Sequence, residues 1–128
     1  MTVSRPALLV TVDGEPGAAA LTRVRAADLR LAQRQRGYLR AEDERAGREP
    51  GAVALEVDVV IDERAADARA SYAPDHAAAE QGITYVGTPS GLRSLLEDVY
   101  AAEVADAVVL RPVGGARTKD LIATLLAA

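Results

Sequence analysis

Apolar positions along the chain fall into two alternating patterns, short runs that suit strands and longer spaced sets that suit helices. Residues 7–12 (ALLVTV) form an apolar run closed by Asp13-Gly14-Glu15-Pro16-Gly17, which predicts a buried strand of the parallel type and a glycine-rich turn. LTRVR at 21–25 predicts a second short strand in spite of its two arginines. From Ala27 to Ala46 strong helix formers predominate, interrupted by Gly37, with Gly47 as a C-terminal stop and Pro50 just beyond it. VALEVDVVI at 53–61 is the clearest strand: Val53, Leu55, Val57, Val59 and Ile61 share one face at period two, and Ala54, Glu56, Asp58 and Val60 share the other.

The alternation continues to the end of the chain. Residues 62–81 are alanine-rich and predict a partial helix, with Asp62 as its N-cap and Ala73-Pro74-Asp75 as an interruption. ITYV at 83–86 is a short strand. Thr88 as N-cap and Pro89 as first helical residue start a helix that runs to about Ala102 and carries Leu92, Leu95, Leu96 and Val99 on one face. VVL at 108–110 predicts a buried strand, Arg111 to Gly115 a loop, and Thr118 to Leu126 a closing helix with Leu121, Ile122, Leu125 and Leu126 as its apolar set. Strands alternating with helices are the signature of an α/β domain with a mostly parallel sheet.

Composition narrows the chemistry. The 128 residues suit a single domain spanning 1–128. A net charge of −4 gives no overall attraction for phosphate backbones, so nucleic acid is not an expected partner. Without cysteine there is no disulfide, thiolate nucleophile or cysteine-ligated zinc, and with His76 as the only histidine no histidine-pair metal site is expected. No run of 18 apolar residues occurs, and Met1 to Arg5 lacks the layout of a signal peptide, so the expectation is a cytoplasmic protein without a membrane partner. Fourteen arginines stand against one lysine, and Phe, Trp and Asn are absent, which predicts a core of Ala, Leu, Val and Ile.

Each candidate for chemistry has a plainer alternative. Backbone N–H groups of the DGEPG turn could approach a phosphate, although Asp13 and Glu15 put negative charge where an anion would sit. Gly87-Thr88-Pro89 could offer free N–H groups to an anion or simply cap its helix. Glu56 and Asp58, side by side on one strand face, suit acid/base chemistry or an arginine-paired surface. His76, between Asp75 and Ala77 in a predicted loop, is a potential base or an exposed bystander. Arg23, Arg25 and Arg111 lie at strand ends, where ligand sites of parallel sheets occur, or pair with the surplus acids.

From residue 84 onward, TYVGTPSGLRSLLEDVYAAEVADAVVLRP resembles the last βα unit and final strand of the luciferase-like, flavin-dependent monooxygenase family, whose "VGTP" helix start and "ADG[FV]xLxP" strand it matches at Gly87, Thr88, Pro89, Leu92, Leu96, Ala105, Asp106, Leu110 and Pro112. Residues 24–61 resemble the family's helix, "AGR[DE]P" turn and next strand, and 5–17 its preceding strand and the turn that helps hold the flavin phosphate. The resemblance implies the carboxy-terminal half of a (β/α)8 barrel, a partial TIM-type fold with about four parallel strands and flanking helices. It implies FMN or a deazaflavin as cofactor, no metal, and Gly14, Gly17, Arg25, Gly87 and Thr88 as cofactor contacts. The residues that face the flavin ring and most of the substrate pocket would belong to the missing half, and no catalytic residue is assigned here. In place of the family's Gly/Ala-x-Ser type turn, this chain has Glu15-Pro16, which removes a hydroxyl and adds a charge.

Four strands cannot close such a barrel, so a homodimer of half-barrels or a complementing subunit is expected, unless the sheet has rearranged. Three functions follow. The first is a luciferase-like flavin-dependent oxidoreductase or monooxygenase, truncated and active with a partner. The second is a non-catalytic half-barrel that binds or assembles and has lost the flavin site. The third is a small stand-alone enzyme using Glu56 and Asp58.

Overall fold

A computed structural model describes residues 6–19, 21–72 and 82–127. The strands are β1 (Leu9–Val12), β2 (Thr22–Val24), β3 (Val53–Ile61), β4 (Ile83–Gly87) and β5 (Ala107–Pro112). The helices are α1 (Leu29–Arg45), α2 (Ala65–Ser71), α3 (Pro89–Ala101) and α4 (Ala116–Ala127), and Pro16–Ala18 forms one 3-10 turn. Among the described residues the sheet has five strands where about four were expected, and all four strand pairs are parallel.

β3 is the centre of the sheet. One of its edges pairs with β5 along Ala54–Val59, and its other edge is divided between β2, opposite Val53–Leu55, and β4, opposite Val57–Ile61. β1 pairs with the far side of β5, so the order is β1-β5-β3-β2 with β4 beside the second half of β3. Nine residues of strand make this sharing possible, and the unbroken period-two pattern of 53–61 is what sets that length.

The two faces of the sheet are covered differently. Val53, Leu55, Val57, Val59 and Ile61 join Val108 and Leu110 under Ala32 of α1, Leu92 and Val99 of α3 and Ile122 of α4, in one apolar core. On the opposite face Ala54, Ala107 and Val109 are covered by Ala18 and Leu21, from the link between β1 and β2. A piece of a (β/α)8 barrel would carry every connection on the helix side. Here the link from β1 crosses β5 and β3 to reach β2 on the face opposite α1, α3 and α4, and its 3-10 turn lays Ala18 on that face.

Local chemistry explains where the helices start and stop. Asp28 accepts the Leu31 N–H at 2.8 Å and starts α1. After Arg45 the chain turns at Gly47 (φ 72°), and the N–H groups of Arg48 and Gly47 return to the carbonyls of Asp43 and Glu44, a glycine-dependent helix stop. Thr88 caps α3 by accepting the Gly91 N–H, and Pro89 follows it as predicted. Asp62 does not cap α2. Its carboxylate accepts the adjacent Glu63 N–H, and the helix begins three residues later, at Ala65, without a side-chain cap. Ala73-Pro74-Asp75 and His76 lie outside the described residues.

Candidate functional site

The face of the sheet opposite α1, α3 and α4 carries a cluster of six charged side chains. Period two puts Glu56 and Asp58 on that face of β3 and Arg111 on the same face of β5, while Arg23 and Arg25 arrive from β2 and its end. Asp13, the first residue after β1, completes the group. Its N–H donates to the Leu110 carbonyl, which holds the turn against β5.

Opposite charges alternate through the cluster. Arg25 lies 3.0 Å from Glu56 and 2.9 Å from Asp58. Arg23 lies 2.9 Å from Asp13 and 3.5 Å from Glu56. Arg111 reaches Asp58 at 3.4 Å, Glu56 at 3.7 Å and Asp13 at 3.9 Å. The Asp58 side chain is only 3% exposed, so this carboxylate depends on its two arginines for the stabilisation that water would otherwise give. Hydrogen bonding to Asp13 holds the Arg23 guanidinium above its ordinary range, with Glu56 adding to it. Three cations and three anions leave the cluster without net charge.

The residues implied as cofactor contacts are not gathered at one point. Gly14 (φ 94°) forms a reverse turn closed by the Glu15 N–H on the Val12 carbonyl. Gly17 sits in the 3-10 turn, where the Ala18 N–H is used by the Glu15 carbonyl and Pro16 has no N–H to offer. Gly87 and Thr88 lie at the end of β4. β5 and β3 separate β1 from β4, so three inter-strand spacings, on the order of 14 Å, stand between the two elements. The two elements stand at opposite ends of the strand order.

The start of α3 is also occupied from within. Thr88 caps the Gly91 N–H, and a Cβ at either Gly87 or Gly91 would overlap the Tyr85 hydroxyl. These glycines leave room for Tyr85. Arg25 packs its guanidinium against Gly82, where an added Cβ would stand 2.8 Å from Cζ, and it faces Glu56 and Asp58.

No protein-family model matches this chain, and no curated protein matches it. The motifs behind the family resemblance each have a structural task here. Ala46-Gly47-Arg48-Glu49-Pro50 contains the α1 stop, reinforced by the Asp43 carboxylate, which accepts from Arg48 and the Gly51 N–H. Those hydrogen bonds, led by the one from Gly51, hold the Asp43 carboxyl below its ordinary range. Asp106, in the final motif, accepts from Arg36 at 2.8 Å and from the Val53 N–H at 2.9 Å, tying α1 and the start of β3 to β5.

Sequence reasoning singled out Glu56, Asp58, Arg23, Arg25 and Arg111, and the fold brings all five together. It missed that Asp13 belongs with them, because only the pairing of β1 with β5 puts position 13 beside Arg111. Among the described residues no group of three or more His, Cys, Asp or Glu side chains could hold a metal ion, and no helix is long and apolar enough to cross a membrane.

Proposed function

We propose that this chain is a non-catalytic α/β binding or assembly module whose potential cofactor face is filled by its own side chains. The charge cluster carries this reading. Arg23, Arg25 and Arg111, the cations that could hold a ligand phosphate on that face, each have a carboxylate partner within 3.4 Å. An entering anion would have to displace Asp13, Glu56 or Asp58 and then sit beside the charge it displaced. Ala18 and Leu21 cover the middle of the same face, where a barrel would hold its interior.

A second reading, a luciferase-like flavin-dependent oxidoreductase or monooxygenase half-barrel that works with a complementing subunit, is favoured by the strand order. With β4 set aside, β2-β3-β5-β1 is the cyclic order of a barrel opened between its first two strands. FMN or a deazaflavin would supply the redox chemistry in that case. Its phosphate would rest at either the Gly14–Gly17 turn or the Gly87–Thr88 helix start, because the sheet separates them.

Titrating the purified protein with FMN, FAD and a deazaflavin, followed by absorbance and fluorescence, separates the two readings. The assembly reading expects no saturable change below about 1 mM ligand, a binding free energy weaker than ~4 kcal/mol. Saturable binding at micromolar concentration would overturn it.

A further inference from the structure

We propose that β1 is the surface through which two copies of this chain associate, pairing antiparallel about Val10 so that their sheets join edge to edge. This rests on the assembly reading and supplies its partner and interface.

The hydrogen-bonding direction of β1 is set by its inner neighbour. Leu9 and Asp13 donate their N–H groups to the Asp106 and Leu110 carbonyls beside β5. Odd-numbered residues of this strand therefore point their backbone groups inward, and Leu8, Val10 and Val12 point theirs outward. No strand among the described residues pairs with that outer side. The other end of the sheet is shared by β2, only three residues long and carrying Arg23, a short and charged edge of the kind that resists pairing, and by β4. β1 has no such protection: it is LVTV, and Leu9 is 51% exposed.

The strand is complementary to itself. Antiparallel pairing about Val10 sets Leu8 opposite the partner's Val12 and Leu9 opposite the partner's Thr11, so residues of like face meet and no charge is opposed. Val10 then faces the partner's Val10 in a hydrogen-bonded pair that exchanges both N–H and C=O, and the partner's Leu8 N–H meets the Val12 carbonyl as a second donor beside the Glu15 N–H that closes the Gly14 turn. Pairing about Thr11 would instead set Leu9 against the partner's Asp13, whose carboxylate is committed to Arg23.

The helix layer leaves matching space. β1 is followed by a 3-10 turn where the other crossovers have helices, and two grooves, one mainly apolar and one of mixed character, meet at Val10 on its helix side. One, of 630 Å³, is walled by α3 with Leu96 and Tyr100, and the other, of 650 Å³, by α4 with Ala123 and Leu126. A two-fold axis through Val10 turns the first groove of one copy toward the second groove of its partner. The α3 wall carries Arg93 and Glu97 and the α4 wall Lys119 and Asp120, so each side offers one charge of each sign to the other.

Light scattering at micromolar concentration is expected to give the mass of two chains for the wild-type protein and of one chain for Val10→Pro. Proline at this outward position removes only the N–H that serves the partner and leaves the β5 ladder intact. Circular dichroism checks that this variant is folded. If it is not, Leu9→Lys, at an exposed position, is expected to weaken dimerisation at least 10-fold. Because the chain has no cysteine, Val10→Cys reports the register directly: hydrogen-bonded partners stand ~5.5 Å apart at Cα, within disulfide range, and mild oxidation is expected to give a covalent dimer. A monodisperse wild-type monomer would overturn the proposal. A dimer that survives both substitutions and yields no Val10→Cys cross-link would overturn the β1 interface while leaving the assembly reading standing. Micromolar flavin binding would overturn the assembly reading whatever the mass.

Discussion

Arg25 Nη2 stands 2.9 Å from Asp58 Oδ2, joining the end of β2 to the middle of β3 on the face opposite α1, α3 and α4. The contact matters because the Asp58 carboxylate is almost fully withdrawn from water, and Arg111, at 3.4 Å, is its other arginine.

Removing Arg25 should therefore cost more than the loss of a surface ion pair. Arg25→Ala leaves a buried carboxylate with Arg111 at a longer distance, and a loss of about 2–3 kcal/mol is expected, somewhat below the full cost of stripping a buried charge of its partner. Arg25→Lys should recover only part of this, since an ammonium cannot reproduce a fork shared between Glu56 and Asp58. Urea denaturation of the two variants and the wild type measures both, and a change within 0–1 kcal/mol for Arg25→Ala, typical of exposed pairs, would show that the contact is not a buried one.

Thr118 offers a separate test of how α4 is fixed to the sheet. Its hydroxyl accepts the Ile61 N–H at 3.1 Å and donates to the Ile61 carbonyl at 3.2 Å, in a fully buried position at the end of β3. Thr118→Val keeps the shape and strands both backbone groups, so a loss of roughly 1–3 kcal/mol is expected. Thr118→Ser, which keeps the hydroxyl, should stay closer to wild type. Thermal or chemical unfolding of the pair settles the ranking, and equal losses would mean that packing outweighs the hydrogen bonds.

Asp106 should make stability depend on pH in the acid range. Burial raises its carboxyl, but the Arg36 guanidinium and the Val53 N–H together outweigh burial and hold it below its ordinary range. A folded-state value below the unfolded one means that the ionised group contributes its stability above about pH 4 and loses it as pH falls through the folded value. Asp106→Asn removes this titration. Unfolding midpoints measured from pH 6 to pH 3 should fall less steeply in the variant, and parallel profiles would assign the acid sensitivity to other carboxylates such as Asp43.

Much of the fold was legible because it depends on local pattern. The alternation through 53–61 fixed the limits and faces of β3, and Thr88-Pro89 and Gly47 placed the start of α3 and the stop of α1. Even 21–25, weakened by two arginines, is a strand over Thr22–Val24, because those arginines meet Asp13, Glu56 and Asp58 on the face opposite α1, α3 and α4. Asp62 failed as an N-cap because its carboxylate satisfied its neighbour's N–H before a helix began. The last strand extends through Pro112, past the predicted start of a loop, because Asp58 and Val59 of β3 stand in register with Arg111 and Pro112.

The candidate site divides along the same line. Residue type and spacing determined that Glu56, Asp58, Arg23, Arg25 and Arg111 would be the charges worth following, and that no cysteine and a single histidine would restrict the chemistry. Only the tertiary structure decided that these charges neutralise one another, that Asp13 joins them, and that Gly14 and Gly17 lie on the opposite side of the sheet from Gly87 and Thr88. Helix caps and strand faces arise from residues a few positions apart, whose geometry the backbone repeats. Strand order and the face crossed by the β1–β2 link arise from pairings between segments tens of residues apart, and no short-range pattern encodes which edges will meet.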